Sequence, residues 1–242
     1  MTTEPRPLPE RAAFLTTRWT RICLAKADSD DGRKALADLC EAYYAPVVMF
    51  LRCELRDADA ASELSHAFFV EMLAGGTIRT AEQERGRFRS YLLGAVKHFL
   101  SHHREAAQRV KRGGGVIPVP MDDEEVGAMA DPQQISPDAA FDRQWALTVL
   151  ARGLDALRRE CEKEGREDFF EHVKPLLTGD SEHGAQAEIA AACNMNLDAF
   201  RMAVHRLKKR LRHCVKAEVA GTLDDPARVQ EEMEALFAAL GG

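Results

Sequence analysis

Two helical patterns separated by only four residues constrain this chain more than any other stretch. Gln186-Ala187-Glu188-Ile189-Ala190-Ala191-Ala192 reads as a short helix of mostly small residues, which lets a second helix cross closely, with Ile189 directed inward. Cys193-Asn194-Met195-Asn196 supplies the turn. Asn194 tolerates the left-handed conformation that most residues avoid, and the Asn196 side chain can accept a backbone N–H of the next helix as its N-cap. From Leu197 onward, Phe200, Val204, Leu207 and Leu211 recur at spacings of three and four and form one apolar face. Arg201, Arg206, Lys208, Lys209, Arg210 and Arg212 occupy the other faces, and no acidic residue lies between Asp198 and Glu218.

A helix with one buried stripe and an otherwise cationic surface is suited to a DNA major groove, with long side chains on phosphates and a few reaching base edges. A merely solvated helix usually mixes charge signs. The formal net charge of −6 over 242 residues looks wrong for such a role, but it hides the distribution. Between Arg85 and Arg112 the one acid is Glu105, and Arg201 to Lys216 has none, whereas Asp122 to Asp142 contains no base. Two basic patches separated by an acidic spacer predict two contacts with one polyanion. The six cysteines, at 23, 40, 53, 161, 193 and 214, stand singly with no CxxC pair, which argues against a zinc ribbon or a disulfide framework. No apolar window approaches a membrane span, so a cytoplasmic protein is expected.

Taken in order, residues 1 to 12 read as a Pro-rich arm, followed by a short helix at Thr17 to Ala27. Arg33 to Arg56 keeps a helical period through Tyr43, Val47, Phe50 and Leu51, with Pro46 as a kink or restart. Asp57-Ala58-Asp59 is a turn with an N-cap, and Ala60 to Leu73 is the next helix, ended by Gly75-Gly76. After a polar loop at Thr77 to Arg85, a helix from Phe88 buries Phe88, Leu92 and Val96, and presents Lys97, His98, Ser101, Arg104 and Gln108 on the opposite side. Lys111-Arg112-Gly113-Gly114-Gly115 breaks it, and the Pro-rich, acidic stretch to Pro137 reads as a linker. Helices follow at 138–163, with Phe141, Trp145, Leu147, Val149, Leu154 and Leu157 apolar, and at Phe169 to Leu177. A last helix, Ala227 to Leu240, carries Val229, Met233, Leu236, Phe237 and Leu240 on one side, and is expected to pack on the second basic domain and screen it. No strand-like alternation is present. The expected fold is all-α, with two small helical domains joined by a flexible acidic linker.

Catalysis finds no support. His98 and His102 stand at i and i+4, a spacing that can hold a metal, but no HExxH pattern accompanies them. The glycine run at 113–115 follows a basic helix and lacks the Lys-Ser/Thr sequel of a phosphate loop. No catalytic set, metal site or cofactor is therefore expected.

Over roughly residues 33 to 217 the order of motifs resembles the extracytoplasmic-function class of bacterial RNA polymerase sigma factors. Asp59 to Phe69 is similar to the family's acidic-helix motif, with Glu63-Leu64-Ser65-His66 at its core and Phe68 and Phe69 after it. Phe88 to Arg104 resembles the motif that follows, and Trp145 to Leu157 with Glu188 to Leu211 is similar to sigma domain four. With Gly86-Arg87-Phe88-Arg89 and Lys111-Arg112-Gly113-Gly114, the chain looks closest to the divergent sigma factors often encoded beside Ser/Thr kinases.

The resemblance implies a transcription initiation factor with five segments. These are an arm at 1–32, sigma domain two at 33–112, a linker at 113–137, sigma domain four with a helix-turn-helix at 138–217, and a C-terminal helical extension at 218–242. Asp59, Glu63, His66 and Phe69 would bind core RNA polymerase at the β′ clamp helices, and the second domain would meet the β flap. Lys97, His98, Ser101 and Arg104 would engage the minus-ten element, with the Thr77 to Arg85 loop capturing an unstacked base. Asn196, Arg201, Met202, His205, Arg206, Lys208, Lys209 and Arg212 would contact the minus-thirty-five duplex. The family's glutamine is replaced by His66, and its acidic cluster is thinned by Ala60, Ala61 and Ser62. Phosphorylation of Ser62 or Ser65 would restore negative charge there, about −1.5 to −2 per group. A Ser/Thr kinase or an anti-sigma factor is accordingly an expected regulatory partner. Two readings from other classes are a stand-alone helix-turn-helix regulator and a helical protein whose basic faces meet acidic partners.

Overall fold

The computed structural model describes residues 29–74, 87–113, 135–179, 185–223 and 225–241. All regular structure among them is helical, in eight α-helices and one 3-10 turn. The expected helix at Thr17 to Ala27, Gly75-Gly76, the loop at Thr77 to Arg85 and the linker from 114 to 134 lie outside the described residues.

Helix α1 (Asp30–Leu55) opens with Asp30 and Asp31, which suit the positive end of the helix dipole. It runs through Pro46 as one helix rather than restarting, because the Pro46 ring is buried and its packing offsets the one lost backbone hydrogen bond. Arg56, at φ 54°, takes the left-handed conformation that ends it. The chain then turns directly into α2 (Ala58–Leu73), with the Asp57 carboxylate accepting from the N–H groups of Asp59 at 2.9 Å and Ala60 at 3.1 Å. The next helix is α3 (Phe88–Gly113). After it come α4 (Pro137–Lys163), α5 (Glu167–Thr178), α6 (Ala185–Ala192), α7 (Leu197–Ala220), the 3-10 turn Pro226–Arg228 and α8 (Val229–Gly241).

These elements divide into two compact units, residues 1–146 with 221–242, and residues 147–220. The division falls inside α4, and the C-terminal helix belongs to the first unit.

The first unit's core is Tyr43, Val47, Phe50 and Leu51 from α1, Phe68, Phe69 and Met72 from α2, and Phe88, Leu92, Val96 and Leu100 from α3. Each such side chain contributes about 1.5–3 kcal/mol by leaving water. Tyr43 meets Phe88 edge-on at 5.2 Å, and Phe68 meets Phe99 at 5.5 Å. Helix α8 adds Val229, Met233 and Leu236. Its Glu232, 1 % exposed, accepts from both Nε and Nη2 of the buried Arg89 and lies 3.0 Å from Arg87 Nε. Arg89 also pairs with Asp142 and lies over the Trp145 ring at 4.6 Å, while Arg87 pairs with Glu231. The expectation that this helix packs on the second basic domain is thereby corrected: it packs within the first unit, with its first-turn carboxylates engaged by Arg87 and Arg89.

The second unit packs Val149, Leu157 and Cys161 of α4 with Phe170, Val173 and Leu176 of α5 and the apolar face of α7. Gly153 lets α4 and α7 approach closely, since a Cβ there would sit 2.6 Å from Val215 Cγ2. Two apolar expectations fail. Leu147 is 43 % exposed because it lies about 200° around α4 from Trp145, and Phe237 is 52 % exposed because the buried spacing runs through 229, 233 and 236.

Candidate nucleic-acid interface

The second unit carries the better-formed surface. Helix α6 ends as expected: Cys193 and Met195 donate to the carbonyls of Ile189 and Ala190, and Asn194 sits at φ 52°. The Asn196 Oδ1 accepts from Ala199 N at 2.8 Å, so this residue acts first as the N-cap of α7. Phe200, Val204, Leu207 and Leu211 are buried as the spacing predicts, and Cys214, Val215 and Val219 continue that face. Arg201, Met202, His205, Arg206, Lys208, Lys209 and Arg212 are all exposed, with Met202 at 58 %. Arg206 is steadied by a bond from Nε to the Met202 carbonyl at 3.3 Å, and Arg201 lies 3.8 Å from Asp198.

Arg210 departs from its neighbours. It lies 2.9 Å from both Glu160 of α4 and Glu164 just past the end of that helix, so it is a strut within the unit rather than a free cation. The hydrogen bond to Glu164 is the main reason its pKa is raised, and the same bond holds the Glu164 carboxyl below its usual range. Burial pushes the nearby Cys214 thiol up to about 11, with Glu160 adding to the shift.

In the first unit, Lys97, His98, Ser101 and Arg104 share the exposed side of α3. Two of the four already have partners, Lys97 with Asp138 at 2.7 Å and Arg104 with Glu54 at 3.1 Å. Both pairs are on the surface and weak, about 0–1 kcal/mol, so a polyanion can replace the carboxylates. The His98 and His102 rings lie 4.2 Å apart, yet no group of three His, Cys, Asp or Glu among the described residues could hold a metal ion.

On α2 the structure separates the residues expected at a partner surface. Asp59, Glu63 and His66 are exposed, and His66 Nε2 lies 2.9 Å from the Tyr44 hydroxyl. Phe69, 6 % exposed, is instead a core residue packed edge-on against Phe68. Ser65 is fully buried and donates to the Ala61 carbonyl at 2.5 Å, which removes it as a phosphorylation site, whereas Ser62 is half-exposed. Sequence reasoning missed Val70, which is 64 % exposed and stands one turn beyond His66 on the same face as Asp59 and Glu63. Its signal was an apolar residue off the buried stripe of α2.

No helix among the described residues is long and apolar enough to cross a membrane. No protein-family model matches the chain, and neither a curated protein nor a solved structure is significantly similar to it.

Proposed function

We propose that the chain is a transcription initiation factor of the sigma type, which binds core RNA polymerase and directs it to promoters by reading one duplex element and holding one opened strand. The observation that carries this reading is the α6–α7 pair: two helices joined by a four-residue turn, with the second capped by Asn196 and exposing an acid-free row from Arg201 to Arg212. This supports a helix-turn-helix whose second helix enters the major groove, with Arg201, Met202, His205 and Arg206 near base edges and Lys208, Lys209 and Arg212 on phosphates.

The first unit supports the remaining steps. The polar, cationic side of α3 suits a single strand held by backbone charge, with Lys97 and Arg104 exchanging surface carboxylates for phosphates. The acidic side of α2, with Asp59 and Glu63 around Val70, has no use in DNA binding and suits a protein partner with a basic, partly apolar surface. That face is what favours an initiation factor over a stand-alone regulator.

The test is transcription from a promoter library by core polymerase with and without the purified chain. Transcripts that start at discrete sites only in its presence are expected. Duplex binding with no initiation would replace this reading with that of a helix-turn-helix regulator acting without polymerase.

A further inference from the structure

The carboxylates that meet the cationic row of α3 come from other helices. The one acid of α3 itself, Glu105, lies 3.8 Å from Arg109, and as the sequence neighbour of Arg104 it points to a different side of the helix. Glu54, in the last turn of α1, reaches Arg104 at 3.1 Å, and Asp138, in the first turn of α4, reaches Lys97 at 2.7 Å. Lys97 and Arg104 are seven residues apart, about 10 Å along the helix, so the row from Lys97 to Arg104 has a carboxylate at each end.

Asp138 is carried to Lys97 by a fixed backbone rather than by a long, free side chain. Residues 137–146 of α4 belong to the first unit, where Phe141 and Trp145 on the next turns are buried. Asp142 pairs with Arg89, whose guanidinium lies over the Trp145 ring. This anchor holds the first turn of α4 against α3. A carboxylate in that turn is also favoured by the positive end of the helix dipole, so Asp138 keeps a favourable setting when Lys97 turns to another anion. The two kinds of ion pair on this segment therefore differ. Lys97 and Asp138 are both exposed and can exchange partners, whereas Arg89 is buried and stays with Asp142 and Glu232.

We propose that Glu54 and Asp138 are internal competitors of the single strand: each holds the cation at one end of the α3 row and lowers the affinity of the free chain for nucleic acid. The inference rests on the strand-holding role proposed above and adds its regulation. An incoming phosphate has to displace a carboxylate from its cation and then remains close to it, like charge beside like charge. Exposed pairs are weak, so each lowers affinity by no more than roughly five-fold. Both together keep the free chain off stray single strands, yet yield to a strand presented at the high effective concentration that opening beside the row creates.

The test measures binding of the full chain to a short, labelled single-stranded DNA by fluorescence anisotropy at constant low ionic strength. Glu54→Gln/Asp138→Asn removes both competitors and keeps their shape. Glu41→Gln/Glu71→Gln removes the same charge from exposed positions elsewhere in the first unit. The first variant should bind about five-fold or more tightly than the unaltered chain, and the second should gain less than about two-fold. Placed on a Lys97→Ala/Arg104→Ala background, Glu54→Gln/Asp138→Asn should give almost no gain, because the cations it frees are gone. An equal gain in both carboxamide variants, or a gain that survives on that background, overturns the proposal. If Lys97→Ala/Arg104→Ala weakens strand binding while Glu54→Gln/Asp138→Asn leaves it unchanged, the competitors are refuted and the strand-holding role stands. If Lys97→Ala/Arg104→Ala leaves strand binding unchanged, the strand-holding role fails and the proposal fails with it.

Discussion

At the scale of single residues the decisive group is Glu232. It is 1 % exposed and takes both Arg89 and Arg87, a pairing across about 140 positions of sequence that no local pattern could announce. Burial alone would lower the Arg89 pKa, but the hydrogen bond and charge of Glu232, with Asp142, outweigh it and raise it. Removing one partner of a buried ion pair strands the other, at a cost of about 3–5 kcal/mol. Glu232→Ala should therefore lower the urea midpoint by an amount equivalent to about 3 kcal/mol, and a shift under about 0.5 kcal/mol would show that Asp142 and Glu231 suffice. Glu231→Ala, at an exposed position, should leave the urea midpoint nearly unchanged. The same logic explains Ser65: its hydroxyl is satisfied by the Ala61 carbonyl one turn back, so burial leaves no unpaired polar group, and nothing in the sequence marks it as interior.

Among the elements, the close crossing of α4 and α7 depends on Gly153. An added Cβ would meet Val215 Cγ2 at 2.6 Å and its backbone N and Cα at 3.3 Å, and backbone atoms cannot rotate away. Gly153→Ala should therefore destabilise the second unit by about 1–3 kcal/mol despite the better helix propensity of alanine, measured as a lower midpoint in thermal or urea unfolding. A neutral or stabilising outcome would mean that the helices can separate by a few tenths of an ångström at no cost. Deleting 225–242 tests the other long-range packing. It exposes the surface covered by Val229, Met233 and Leu236 and leaves Arg89 without Glu232, so thermal unfolding of the first unit should shift down by several degrees. Duplex affinity should stay within about two-fold, since the first-turn carboxylates of α8 are engaged by Arg87 and Arg89. A marked rise in affinity would instead restore the screening role expected from sequence.

For the whole molecule, what was legible in the sequence was whatever a few adjacent residues decide. The Asp57 and Asn196 caps, the left-handed Asn194 and the apolar stripes of α3 and α7 all follow from spacing within one or two turns. What was hidden is the identity of the surface that an apolar stripe will meet. Val229, Met233 and Leu236 read the same whether α8 covers one unit or the other, and Arg89 reads as one more surface cation until Glu232 is placed beside it. The candidate duplex surface was legible because it is one continuous helix face, and only Arg210, captured by α4, had to be withdrawn from its cationic row. The remaining row makes a quantitative prediction. If Lys208, Lys209 and Arg212 neutralise phosphates, each contributes about 0.9 to the slope of log K against log salt, while side chains at base edges contribute sequence preference instead. Lys208→Ala/Lys209→Ala should lower duplex affinity uniformly across sequences and reduce the slope by about 2. Met202→Ala and His205→Ala should change which duplex is preferred and leave the slope nearly unaltered. Fluorescence anisotropy on a small set of duplexes at several salt concentrations separates the two effects. An unchanged slope in the double-lysine variant would remove these two residues from the duplex contact and leave the groove-facing role to the first turns of α7 alone.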